Sequence, residues 1–136
     1  MTELSRARWA IALLTLTFAA YFFGGAASNQ NARLDAIYAF VEPGTPDTGT
    51  FRIDRFMVSP TRSINTLDWA TYDGHYYANK APGTIWLGAL AYKPLVILAS
   101  WLDWSFDAPG FVIASAYLIN LFVSVLPLVA AALALF

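Results

Sequence analysis

The chain has 136 residues, of which 58% are hydrophobic and 12% are charged, and its mean hydropathy is positive. This composition is too apolar for a soluble domain of this length and predicts a protein of the lipid bilayer. Eight Lys and Arg are balanced by nine Asp and Glu, which argues against nucleic-acid binding. The absence of cysteine excludes disulfide bonds, thiolate metal sites and a cysteine nucleophile.

The first predicted element is a membrane span within residues 1–27. Residues 9–27 form an uncharged run of 19 residues, close to the roughly 20 that a helix needs to cross the hydrocarbon layer. Arg6 and Arg8 precede this run, so the positive-inside bias predicts a cytoplasmic N-terminus and a chain that emerges outside after Ala27. The small residues at 25–27 leave a cleaved secretory signal peptide as the alternative.

Residues 28–83 form the polar part of the chain, which we predict to be an extracytoplasmic loop. Apolar residues recur at helical spacing in 31–42, with Asn31 as a cap and Pro43-Gly44 as the end. This pattern predicts a short amphipathic helix that rests at the membrane interface, with its apolar stripe towards lipid or neighbouring helices. The arginines that follow are expected to be solvated or paired with Asp47 and Asp54; they are Arg52, Arg55 and Arg62.

Residues 84–102 are apolar enough to span, but Lys93 and Pro94 stand near their middle. A lysine there costs about 2.5–3.5 kcal/mol on insertion scales, and a proline interrupts the helical hydrogen bonds. One interpretation is a second span with Lys93 facing a polar cavity. The other is a kinked juxtamembrane or re-entrant helix whose lysine reaches the surface. The acidic turn 103–107 contains no Lys or Arg, which favours an outside location for the turn and hence the second interpretation.

Residues 108–136 contain no charge, which predicts a membrane span with some tilt. Because the sequence ends inside this apolar run, we expect the chain to be the opening part of a longer polytopic protein. The elements together predict an all-α integral membrane fold.

Several strings in the loop resemble the N-terminal region of bacterial GT-C membrane glycosyltransferases, the lipid-carrier-dependent enzymes related to protein O-mannosyltransferases and lipid A aminoarabinose transferases. The most specific strings are Tyr72-Asp73-Gly74-His75-Tyr76-Tyr77 and Lys80-Ala81-Pro82-Gly83. Supporting strings are Asn29-Gln30-Asn31-Ala32-Arg33-Leu34, Ala39-Phe40-Val41-Glu42-Pro43-Gly44-Thr45, Phe51-Arg52-Ile53-Asp54 and Asn65-Thr66-Leu67-Asp68. The resemblance implies the N-terminal part of a GT-C-type helix bundle, with the loop outside the bacterial inner membrane.

The resemblance also implies positions for the site. Arg33 and Lys80 match the family's arginine and lysine, the latter a contact of the carrier phosphate, and we expect both to bind that phosphate. The family's acidic catalytic position is occupied by Gln30 or Asn31, and neither amide can act as a general base. The substitutes are Asp73, which adjoins a histidine and tyrosines, and then Asp35 and Asp68.

The expected chemistry is transfer of a sugar from a polyprenyl phosphate to an extracytoplasmic acceptor, with no cofactor and no metal site. Arginine and lysine would stabilise the departing phosphate, and a carboxylate would deprotonate the acceptor hydroxyl. Side chains expected to contact sugar or lipid are Tyr72, His75, Tyr76 and Tyr77. The structural alternatives are that Asp73 pairs with Lys80, that the tyrosines are interfacial anchors and that His75 makes a structural hydrogen bond.

The expected partners are membrane lipid, the lipid-phosphate carrier and the remaining helices of a longer chain. Without those remaining helices we expect no activity. Two other functional classes stay open. The chain could be a small non-enzymatic membrane subunit or assembly factor, or a transporter fragment in which Lys93 is an intramembrane charge.

Overall fold

The computed structural model describes residues 3–21, 28–58 and 66–135 of the chain, and it is mostly helical. The helices are α1 (Glu3–Tyr21), α2 (Ser28–Val41), α3 (Asp54–Val58), α4 (Pro82–Trp101), α5 (Pro109–Asn120) and α6 (Leu126–Leu135). A π-helical turn, Leu121–Val125, joins α5 to α6 without a break, and we call the whole of Pro109–Leu135 the long helix.

Among the described residues, two helices, α4 and the long helix, are long and apolar enough to cross a membrane. The long helix occupies most of the predicted span 108–136, and α4 occupies most of the segment 84–102. The predicted span 9–27 coincides with α1 as far as Tyr21, and its residues 22–27 lie outside the described residues.

The helices pack at two levels along the long helix. At its C-terminal part, α1 packs against α6 and the π turn. Leu4 and Arg8 line one groove with Leu133, so the start of α1 lies beside the end of the long helix. At its N-terminal part, α4 packs against α5 and the π turn, and α2 packs against α4. The polar part of the chain is therefore assembled around the N-terminal half of the long helix.

The contact between α2 and α4 depends on a glycine. Gly88 is buried in α4, and a Cβ atom added there would lie 2.2 Å from Cδ1 of Ile37 and 3.3 Å from Cγ2 of Ile119. Because Gly88 has no side chain, α2, α4 and α5 can approach one another closely at this point. Ile37 is itself 2% exposed, so α2 buries its apolar face against protein.

Helix α4 continues through the predicted interruption at Pro94. Its buried face repeats at helical spacing through Ile85, Gly88, Tyr92 and Val96. Lys93 and Pro94 lie on the opposite, exposed face. There the missing N–H of the proline removes one backbone hydrogen bond without disturbing the packed side.

A β-hairpin, which the all-α prediction did not include, stands where we expected a loop. It pairs β1 (Trp69–Tyr72) with β2 (His75–Ala78), and residues Tyr72 and His75 face each other at the turn. The turn residues Asp73 and Gly74 have φ values of 50° and 78°. Two successive positive φ angles characterise the tight type I′ turn, for which Asp-Gly is a preferred sequence. The Ile53 N–H donates to the Tyr76 carbonyl at 2.9 Å, which attaches the hairpin to the preceding segment.

Candidate functional site

A cavity of about 440 Å³ lies between α2, the first turn of α4 and the long helix. Most of its wall is aliphatic and comes from α2 and α5. Six polar residues complete the wall: Gln30, Asn31, Arg33, Thr84, Asn120 and Ser124. Cavities of this size and mainly apolar character are typical binding sites for small organic groups.

The polar groups collect at one end of this cavity. Gly88 of α4 lies beside Ile37 of α2 and Ile119 of α5. One turn further along α4, Tyr92 contacts Glu42, which follows Ile37, and Phe111, which precedes Ile119, so α2 and α5 run in opposite directions. The N-terminal turns of α2, with Gln30 and Arg33, therefore extend towards the π turn, where Asn120 and Ser124 are. The first turn of α4 contributes Thr84 to the same wall.

Arg33 is the one charged residue on the described cavity wall. Its Nε atom is buried and has no hydrogen-bond partner within the described part of the chain. A buried donor of this kind costs free energy unless a ligand or water satisfies it. The wall thus combines one fixed positive charge with an apolar surface, as an anionic amphiphile requires.

Lys80, the second predicted cation, does not line this cavity. Its Nζ forms an ion pair with the carboxylate of Asp68, and its side chain is only 15% exposed. The hairpin explains the pair, because the Asn79 N–H donates to the Asp68 carbonyl and so closes the open end of the two strands. The alternative that Lys80 pairs with Asp73 is wrong, since its partner is Asp68.

Asp73, the first candidate for the base, lies at the tip of the hairpin and is exposed. Its neighbour Tyr72 is 75% exposed. Neither residue lines the cavity, so the structure does not bring Asp73 together with Arg33 there. The positive φ of Asp73 gives this residue a clear role in forming the turn.

Asp54, which sequence reasoning considered only as an arginine partner, holds the hairpin in place. Its carboxylate accepts hydrogen bonds from the Tyr76 N–H and from Nδ1 of His75, both at 2.6 Å. Burial raises the pKa of the Asp54 carboxyl, but the two hydrogen bonds and the nearby His75 and Arg52 charges outweigh it. The pKa of Asp54 is therefore below its ordinary value of 3.8. His75 therefore makes a hydrogen bond within the fold, as the structural alternative to ligand contact predicts.

We expect the Asp54 contacts to make hairpin attachment sensitive to acid. Because the folded pKa lies below 3.8, ionised Asp54 stabilises the fold above about pH 4, and this contribution is lost as pH falls through the folded pKa. Melting temperatures between pH 3 and 6 should fall less steeply with acid in Asp54→Asn than in the wild type. Asp103→Asn, in an exposed turn, is the matched control. An unchanged acid dependence in Asp54→Asn would contradict this assignment.

The remaining predicted aromatic residues lie in the sheet. The rings of Tyr76 and Trp69 pack edge to face across the strands, with centroids 5.3 Å apart. Tyr77, which pairs with Ala70 inside the hairpin, also forms a single backbone bridge with Arg52 on the other edge of β2. None of these residues lines the cavity. Their contacts support the hairpin, and sugar contact by Tyr76 and Tyr77 stays a prediction.

A buried polar face extends along α2 to Glu42, the residue after the helix, and the sequence pattern had indicated only Asn31, as a cap, and Asp35, as a candidate base. Asn31, Asp35, Tyr38 and Glu42 recur at helical spacing, and each is at most 4% exposed. Asp35 is fully buried and does not line the cavity, so solvent and the cavity do not reach this candidate base. The spacing of these four residues is the sequence signal that could have identified the face.

Glu42 connects that face to α3 and to α4. It accepts hydrogen bonds from the Tyr92 hydroxyl and from Nη2 of Arg55, both at 2.6 Å. Arg55 thus pairs with Glu42, whereas its backbone N–H contacts Asp47 at 3.4 Å. Arg62, the last of the predicted solvated arginines, lies outside the described residues.

No group of three or more His, Asp or Glu residues able to hold a metal ion occurs in the described ranges. Comparison of the chain with family models, with curated proteins and with solved structures gives no match.

Proposed function

We propose that the cavity binds the phosphate end of a polyprenyl phosphate, and that the chain is the carrier-binding part of a GT-C-type membrane glycosyltransferase. The enzyme would transfer a sugar from this carrier to an extracytoplasmic acceptor. The observation that carries the proposal is the single guanidinium, Arg33, on the described wall of a mainly apolar cavity. The resemblance of the loop strings to the family supports the reaction class.

Two features of the site suit a phosphate. A guanidinium donates charge-assisted hydrogen bonds to phosphate oxygens, and these are stronger where water is excluded. The first turn of α4 also borders the cavity through Thr84, and no side chain caps this helix at Ala81. Backbone N–H groups at such a helix end add favourable partial charge for an anion.

The arrangement along the long helix supports a membrane position for the cavity. The 27 residues of the long helix extend about 40 Å at 1.5 Å each, which exceeds a hydrocarbon layer of about 30 Å. With α1 in the bilayer beside α6, about 10 Å at the other end of the long helix would extend past the hydrocarbon layer. Phe111 lies in that end and packs against Tyr92 of α4, so the neighbouring Lys93 would reach the lipid headgroups, which favours the juxtamembrane interpretation of 84–102.

In the proposed reaction, Arg33 stabilises the negative charge that grows on the phosphate as the sugar–phosphate bond breaks. The described cavity wall contains no carboxylate or histidine, so the proposal assigns no general base to the cavity. Lys80 would bind the phosphate only after its ion pair with Asp68 breaks, so we assign phosphate binding to Arg33.

Substituting Arg33 tests the proposal. We expect Arg33→Gln to weaken binding of decaprenyl phosphate to the purified chain in lipid nanodiscs by tenfold or more. The reason is that a hydrogen bond to a charged group contributes about 1.5–3 kcal/mol. Arg33→Lys, which keeps the charge, should lose less affinity.

The matched control is Arg52→Gln, which removes the same charge from a residue outside the cavity. This variant should bind the lipid as the wild type does. Equal affinity of wild type and Arg33→Gln, with both proteins folded by their melting temperatures, would exclude the proposed site.

A further inference from the structure

Two polar side chains of the long helix have no hydrogen-bond partner among the residues that the structure describes. Residues 109–135 contain no charged side chain, yet Asn120 and Ser124 both lie on the cavity wall. Neither side chain forms a hydrogen bond with the described residues, and Ser124 does not bond back to its own helix as serines often do. Asn120 is half-buried and Ser124 is exposed, so a ligand in the cavity can reach both side chains.

The backbone around these two residues is also irregular. Asn120 directly precedes the π-helical turn, and Ser124 lies within it. In this turn the Leu126 N–H donates to the Leu121 carbonyl instead of to the Phe122 carbonyl. Pro127 follows directly and has no N–H to donate. Single π turns of this kind occur frequently at functional sites. Here the turn lies at the polar end of the cavity, opposite the N-terminal turns of α2.

The hydrogen-bonding capacity of Asn120 and Ser124 differs from what a phosphate needs. A phosphate anion accepts hydrogen bonds, and Arg33 supplies donors for it. The Asn120 amide offers an acceptor oxygen besides its two donors, and a serine hydroxyl also accepts. Only a ligand with its own donors, such as hydroxyl groups, can use these acceptors.

We propose that Asn120 and Ser124 form a subsite for the hydroxyl-bearing group attached to the phosphate. The ligand of the cavity is then a glycosylated lipid phosphate, with the phosphate at Arg33 and sugar hydroxyls at Asn120 and Ser124. This inference rests on the proposed function, because it assumes that the phosphate of a lipid carrier occupies the same cavity.

The test compares two probes of equal chain length, decaprenyl phosphate and mannosyl-phosphoryl-decaprenol, on the purified chain in nanodiscs. We expect the double variant Asn120→Leu/Ser124→Ala to bind the mannosyl lipid about tenfold more weakly and the unglycosylated lipid within twofold of the wild type. Asn79→Leu, which removes an exposed amide outside the cavity, should change neither affinity.

The outcomes separate this inference from the proposed function. If the double variant weakens both probes equally, or neither, or if the wild type binds only the unglycosylated lipid, the subsite is excluded and Arg33 keeps its role. If the wild type binds neither probe, the proposed function itself fails. Should the double variant melt at a much lower temperature, Ser124→Ala alone gives the same comparison, with an expected loss of about threefold for the mannosyl lipid.

Discussion

Replacing Gly88 with alanine is expected to destabilise the protein by about 1–3 kcal/mol, the usual cost of overfilling a packed core. The added Cβ would lie 2.2 Å from Cδ1 of Ile37, which is buried where α2, α4 and α5 meet. Either Ile37 moves or the helices separate, and both changes alter the cavity wall. Thermal unfolding in detergent measures the loss.

The same helix offers a matched control and a rescue. Gly83→Ala adds the same methyl group where nothing lies within 4 Å, so its melting temperature should equal or exceed that of the wild type. Ile37→Val removes the Cδ1 atom, and the pair Gly88→Ala/Ile37→Val should be more stable than the two single effects predict when added. Strict additivity would show that the two residues do not meet as described.

Replacing Glu42 with alanine should cost about 3 kcal/mol, near the lower end of the range for breaking a buried ion pair. The substitution removes the Glu42 carboxylate that accepts from the Tyr92 hydroxyl and forms the ion pair with Arg55. We choose the lower end because the Arg55 side chain is 24% exposed, so water recovers part of its solvation. Glu42→Gln should cost less, since an amide oxygen can still accept from Tyr92.

A double-mutant cycle of Glu42→Ala with Tyr92→Phe measures this contact. The double variant should be more stable than the sum of the two single losses predicts, because each substitution removes the same hydrogen bond. Glu3→Ala, at an exposed carboxylate of α1, should leave the melting temperature nearly unchanged. Equal effects of Glu3→Ala and Glu42→Ala would contradict the buried position of Glu42.

The helices could be predicted largely from periodicity and the absence of charge. α2 was expected over 31–42 and extends from Ser28 to Val41, so Asn31 lies on its buried face instead of at its start. The segment 84–102 was ambiguous because a lysine and a proline suggest disruption. In the structure these two residues share an exposed face, and the buried face of α4 is uninterrupted.

The hairpin could have been predicted and was not. Asp73-Gly74 between two aromatic-rich runs is a strong hairpin signal. The neighbouring tyrosines, interpreted as ligand contacts, are strand residues. Once the strands are paired, Trp69 faces Ala78, and Asp68 and Lys80 stand at the same open end. The ion pair that removes Lys80 from the cavity thus follows from the turn.

Other parts of the site have no local signal. Glu42 and Tyr92 are 50 residues apart, and only the packing of α2 on α4 brings them together. Likewise, Arg33 could be selected from the sequence, but Asn120 and Ser124 lie in an apolar run where small polar residues are common. Their shared cavity depends on the packing of α2 and α5 on α4, which the sequence pattern does not specify.

Photo-crosslinking with a polyprenyl phosphate that carries a diazirine in its first isoprene units tests the cavity assignment most directly. We predict labelled peptides from α2 and from residues 112–124, with labelling suppressed by unmodified polyprenyl phosphate but not by polyprenol. Labelling confined to the exposed face of α4, or suppressed equally by polyprenol, would contradict a phosphate-binding cavity at Arg33.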